Sequence, residues 1–169
     1  MNSAEILTDA FTRIREIVTR SVDGLSAEQL AARPDGEGNS VAWLVWHLTR
    51  IQDDHVADVA GHQQVWLSKG WAERFALPLN PADHGYGHTS DQVSAVRPES
   101  AQLLIGYHDA VYEQTVRYLS NLLDADLDRV VDTSWDPPVT LGVRLVSVIS
   151  DDLQHAGQAA YAAGLLKLS

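Results

Sequence analysis

Two histidines and an aspartate on separate apolar stripes are the first residues whose types and spacing could do chemistry. Asp151 and His155 stand four positions apart near the C-terminal end. On a helix, side chains at that spacing project from one face and can reach a common ion. Leu141, Arg144, Val148, Ala159, Ala162 and Leu166 share their line on the wheel, so the pair faces inward. His47 lies on a second apolar stripe, with Ser40, Trp43, Leu44, Ile51, Asp54 and Asp58 near the same line. A carboxylate on an apolar face is expensive to bury without a cation, and a divalent ion takes neutral imidazoles as ligands. A metal centre of His47, Asp151 and His155 is one reading of the pattern. A core histidine donating to a carbonyl, a plain Asp151–His155 pair, and an ion pair between Asp151 and Arg144 are the others.

Elements that could position these residues follow from periodicity and end signals. A first helix is expected over 3–22, with Phe11, Ile14 and Val18 among its apolar positions and Gly24 after it. Ser26-Ala-Glu-Gln opens a short turn that stops at Pro34. Asn39 or Ser40 caps a second long helix to about Ala60, where Gly61 ends it. Residues 61–97 lose periodicity, with short helices expected over 63–68 and 90–96. Pro98 opens a third long helix to about Leu122. An irregular stretch over 132–139 precedes Thr140, which caps a fourth helix to about Leu166. The expectation is an all-α four-helix bundle, one domain over 1–169, with long irregular connections after helices 2 and 3.

Composition narrows the function. The net charge of −11 repels phosphate backbones and anionic lipid and argues against a nucleic-acid or membrane partner. No apolar run reaches the roughly 18 residues of a membrane span, and the polar N-terminus lacks a signal-peptide pattern. A cytoplasmic protein is expected. Cysteine is absent, which removes disulfides, thiolate zinc sites and a cysteine nucleophile. Any metal must take nitrogen and oxygen ligands, and any thiol chemistry must borrow its thiol.

His47-Leu48 with Trp43 before it, Asp151-Asp-Leu-Gln-His155-Ala-Gly-Gln158, Gly85-Tyr-Gly-His88, Pro137-Pro-Val-Thr140 and Tyr161-x-x-Gly164 together resemble the DinB superfamily. The resemblance covers essentially the whole chain and is nearest to the actinobacterial branch with mycothiol-dependent S-transferases. It implies a four-helix bundle, a homodimer, and metal ligands carried over to His47, Asp151 and His155. The superfamily usually has histidine or glutamate where Asp151 stands, and Asp152 is the alternative carboxylate.

Three protein ligands leave a coordination position open, the arrangement of a catalytic metal. The resemblance then implies transfer of a low-molecular-weight thiol, mycothiol, to an electrophilic small molecule, with the metal-bound thiolate as nucleophile. A hydrolase using bound hydroxide and a non-enzymatic metal- or ligand-binding dimer are the alternatives. Zinc is preferred because it lacks redox activity; nickel, manganese and iron accept the same ligands. Arg144, His88 and Tyr86 are candidate substrate contacts. Asp54 is a candidate acceptor for a ligand imidazole, His84 a candidate at the mouth, and Trp66, Trp71 and Trp135 candidate rim residues or core plugs.

Overall fold

The helix ends are written in short polar side chains. Asn2 accepts from the Glu5 amide while the Glu5 carboxylate accepts from the Asn2 amide, each at 2.9 Å, and this reciprocal cap starts α1 (Ser3–Val22). Leu7, Phe11, Ile14, Val18 and Val22 form its buried stripe. Fully burying each such side chain contributes about 1.5–3 kcal/mol. Ser26 and Gln29 repeat the cap at α2 (Ala27–Ala31). Ser40 Oγ accepts from the Trp43 amide at 3.1 Å and starts α3 (Val41–Ala60), and Gly61 ends it in the left-handed conformation, φ +71°.

This computed structural model describes residues 1–168; Ser169, the last residue of the domain expected over 1–169, lies outside the described residues. Between α3 and the next long helix stand α4 (Val65–Ser68), α5 (Trp71–Phe75) and α6 (Ser90–Ala95). The first and last match expected short helices. The second was not legible, because its Trp71 and Phe75 answer a tertiary partner, the ring of Tyr107, at 5.7 and 5.9 Å between centroids. The third long helix, α7 (Ala101–Leu119), is shorter at both ends than the 98–122 expected. Ser100, not Pro98, is its entry, because the Ser100 hydroxyl accepts from the Leu103 amide. A small antiparallel hairpin, β1 (Val130–Asp132) and β2 (Val139–Thr140), occupies the second irregular stretch. It is too short for alternation to reveal. Thr140 Oγ1 then accepts from the Val143 amide at 3.4 Å and leads into α8 (Leu141–Leu168).

The four long helices form the expected bundle. α8 packs against α3 and α1, α7 packs against both of these as well, and α1 and α3 are diagonal. His47 meets His155 while His55, about two turns further along α3, meets Arg144, about three turns earlier on α8. α3 and α8 therefore run antiparallel, bringing the two expected ligand stripes face to face. The outward side of α8 carries exposed Val143, Val146, Leu153 and Tyr161. Arg144, Asp151, Asp152 and His155 on the same helix are buried or half-buried. Among the described residues, no helix is long and apolar enough to cross a membrane.

His108 on α7 has an effect on stability that can be measured. The Thr49 hydroxyl donates to the Val45 carbonyl, so His108 Nδ1–H donates to Thr49 Oγ1 at 3.1 Å. Burial lowers its pKa from 6.5 to about 4. A folded-state pKa below the unfolded one means that stability is complete above pH 6.5 and is lost as pH falls towards 4. Over that window the loss from this one group is about 3 kcal/mol. Urea melts at pH 7 and 4.5 should show this slope in the wild type and a flatter one in His108→Gln; equal slopes would contradict it.

Candidate metal centre

α3 delivers His47 into a tight setting. The imidazole is 5 % exposed and stacks on Trp43, with ring centroids 4.6 Å apart at 14°. Its Nδ1 meets the backbone carbonyl of His84 at 2.5 Å. A carbonyl only accepts, so Nδ1 carries the proton and Nε2 keeps its lone pair. Burial lowers the His47 pKa to about 4, against the opposing pull of the His84 carbonyl, with neighbouring His155 lowering it further. At neutral pH the ring is uncharged, the form in which imidazole binds metal. Gly85 lies against the same ring: a Cβ there would sit 2.5 Å from Nδ1.

α8 delivers the other two residues. His155 Nδ1 meets the Asp151 carbonyl of its own preceding turn at 2.9 Å, so this ring too presents Nε2. The two imidazole centroids are 4.7 Å apart. Asp151 Oδ2 is a buried atom without a hydrogen-bond partner among the described residues. One nitrogen from each histidine and one Asp151 oxygen all lie within 4.8 Å of one another. Ligands on opposite sides of an ion with bonds near 2.1 Å stand at most about 4.2 Å apart, so small side-chain rotations would close the group. Two ring nitrogens with free lone pairs and an orphaned carboxylate oxygen suit a divalent cation chemically. The Asp151 and His155 side chains are 36 % and 19 % exposed, so a solute can reach the group from one side.

Other expected residues lie elsewhere. Asp152 is fully buried, neither carboxylate oxygen has a hydrogen-bond partner among the described residues, and it is not part of the group. Burial, with Asp151 adding to it, pushes its carboxyl well above the usual range. Asp54 is not the acceptor for a ligand imidazole: it accepts from Gln64 Nε2 at 2.6 Å, and both histidines use backbone carbonyls. Arg144 pairs with neither Asp151 nor Asp152 but with Asp132 of the hairpin at 2.8 Å, and its other arm meets His55 Nδ1 at 3.0 Å. Burial, then the Arg144 charge, lowers the His55 pKa.

His88, a candidate substrate contact, turns inward. Its side chain is 4 % exposed, accepts from Trp43 Nε1 at 3.2 Å and stacks over Trp46. It braces the indole that in turn stacks on His47. Tyr86 is 85 % exposed, between Gly85 and Gly87. Trp66 is a core plug with its indole N–H on the Pro81 carbonyl, Trp71 packs on Tyr107, and Trp135 is exposed. The residues that sequence reasoning missed are Arg50 and Asp53, buried beside the site at 1 % and 2 % side-chain exposure. Their signal was available: opposite charges three apart inside a helix otherwise buried along that stretch.

The whole chain has known counterparts. A solved structure of a conserved protein from Enterococcus faecalis superposes with a TM-score of 0.93 at 31 % identity, covering 100 % of this chain and 99 % of that one. Comparison with curated proteins finds no match. The family model for mycothiol S-transferase matches residues 6–166. Helical architecture, metal-ready group and full-length match agree: the chain belongs to the mycothiol S-transferase family, within the DinB-like proteins.

Proposed function

We propose that His47, Asp151 and His155 hold one divalent cation, zinc by preference, and that the chain transfers mycothiol to an electrophilic small molecule. The observation that carries this reading is the agreement of three donors. Both rings have Nδ1–H tied to a carbonyl, one nitrogen of each lies within 4.8 Å of an Asp151 carboxylate oxygen, and Asp151 Oδ2 has no hydrogen-bond partner among the described residues. A divalent cation there would supply the Lewis acidity that keeps a thiol deprotonated near neutral pH.

The chain's own residues supply the rest. The two carbonyls hold the imidazoles in one tautomer, so no reorientation is needed before a ligand binds. Trp43 and the loop over 84–88 shut solvent away from the His47 side. Access is left from the Asp151 side, where the thiol and its acceptor would meet. With no cysteine in the chain, the sulfur nucleophile comes from the cosubstrate. Zinc preference follows from thiol transfer needing no change of oxidation state.

The test is to incubate zinc-loaded protein with mycothiol and a panel of electrophiles and to follow conjugates by mass spectrometry. Conjugates that form faster than without protein are the expected result. Ester or amide turnover in the absence of thiol, with no conjugate, would replace this reading by metal-assisted hydrolysis.

A further inference from the structure

The fully buried guanidinium of Arg50 is not explained by the metal-ligand group itself. It lies one turn beyond His47 on α3, and its Nη1 and Nε donate in different directions. Nη1 donates to Gln64 Oε1 at 2.8 Å, reaches the Tyr107 hydroxyl at 3.4 Å and stands 3.8 Å from Asp53. Nε donates to the backbone carbonyl of Asp83 at 3.0 Å. The next carbonyl along the chain, that of His84, receives His47 Nδ1–H. Asp53, which faces the guanidinium, is itself anchored by the amides of Val65 and Trp66 at 2.8 and 2.7 Å and by the Tyr107 hydroxyl at 2.9 Å. The ring of Trp66 lies under Arg50 Cζ at 5.1 Å. A charge this deep is tolerated because a carboxylate, two hydrogen-bonded side chains, a backbone carbonyl and an aromatic face surround it.

A carbonyl in an irregular segment has no ladder to aim it. Something must hold residues 83–85 so that one carbonyl points at an imidazole and Gly85 rests against its ring. Arg50 is rigidly placed by α3, the same helix that carries His47. The guanidinium therefore transmits the helix frame to the loop, one residue before the carbonyl that matters.

We propose that Arg50 is a positioning residue for His47: through the Asp83 carbonyl it presents the His84 carbonyl, and this keeps the imidazole with Nε2 free towards Asp151 and His155. The proposal rests on the reading of His47 as a cation ligand only for its effect on affinity; its effect on the tautomer does not need that reading.

Arg50→Lys separates the two arms. A lysine places a methylene where Arg Nε stands and its ammonium near the guanidinium end, so the charge beside Asp53 survives and the donor to Asp83 is lost. Nitrogen-15 NMR of the metal-free protein at pH 7 should show His47 wholly as the Nδ1–H tautomer in the wild type and as a mixture in R50K. Zinc affinity, by chelator competition, should fall about 10- to 100-fold in R50K, the usual effect of losing a partner behind a ligand. Gln64→Ala removes the other arm and should leave both readouts within about twofold of the wild type.

R50K with wild-type tautomer and affinity overturns the proposal. So does Gln64→Ala if it reproduces the R50K losses, since general loosening would then be the cause. A wild type that binds no zinc sinks the metal reading while the tautomer still decides the role of Arg50. Should R50K not fold, the wild type suffices: the Arg50 Nε proton must be protected from solvent exchange, and rapid exchange would overturn the assignment.

Discussion

Replacing His155 by alanine is expected to abolish stoichiometric zinc binding while leaving the bundle folded. Structural zinc sites bind with about 10–16 kcal/mol, so each of about four ligands carries about 2.5–4 kcal/mol, or on the order of 10²–10³-fold in affinity. The fold should tolerate the change. His155 is a half-buried side chain on a helix whose neighbours Ala156 and Ala159 are already alanine, and alanine is the best helix former. A stability change below about 1 kcal/mol is expected. His47→Ala should lose zinc equally but be destabilised more, by about 1–3 kcal/mol, because it removes a buried ring stacked on Trp43 and its bond to the His84 carbonyl. Metal analysis of protein purified without a histidine tag, with circular dichroism as the fold control, reads both quantities. Zinc content unchanged in the double variant would end the metal assignment.

Gly85→Ala is expected to damage the site without replacing a proposed ligand. The added Cβ would lie 2.5 Å from His47 Nδ1 and 3.2 Å from both His47 Cγ and Trp46 Cζ3. These are ring atoms of buried side chains, so neither neighbour can swing away cheaply. The backbone there has φ +97°, a conformation that side-chain-bearing residues rarely adopt. Strain and clash together should lower stability by about 2–4 kcal/mol. The loop must lift, taking the His84 carbonyl with it, so zinc affinity should fall about 10- to 100-fold. Gly87 supplies the comparison: it also has positive φ, +73°, but nothing lies within 4 Å of the added Cβ. Gly87→Ala should lose about 1 kcal/mol and bind zinc normally. Thermal melts and chelator competition separate the two variants, and identical behaviour would show that contact with His47 is not what Gly85 provides.

These contrasts mark the boundary between local and tertiary information. Helix limits at Ser3, Ser40 and Gly61 were legible because capping is a conversation among residues three or four apart. The pairing of Asp151 with His155 was legible for the same reason, since helical spacing alone puts them on one face. That any thiol chemistry must borrow its thiol, the chain having no cysteine, needs no structure at all. The DinB-like pattern then carried His47 to the same group, although spacing by itself left three other readings open.

Only the folded chain decided which groups those residues meet. The partners of His47 and His155 are backbone carbonyls, which every residue possesses and no sequence pattern flags. Arg144 chose Asp132 and His55, and His88 turned under Trp43, because a hairpin and a loop arrive there from distant stretches of chain. The burial of Arg50 and Asp53 depends on partners in α4, α7 and the loop at residue 83, which only the fold brings to them. Periodicity of 3.6 residues is a local property and survives in the letters of the sequence. The aim of a carbonyl, the approach of a glycine and the neutralisation of a buried charge depend on contacts dozens of residues apart, and exist only once the bundle has formed.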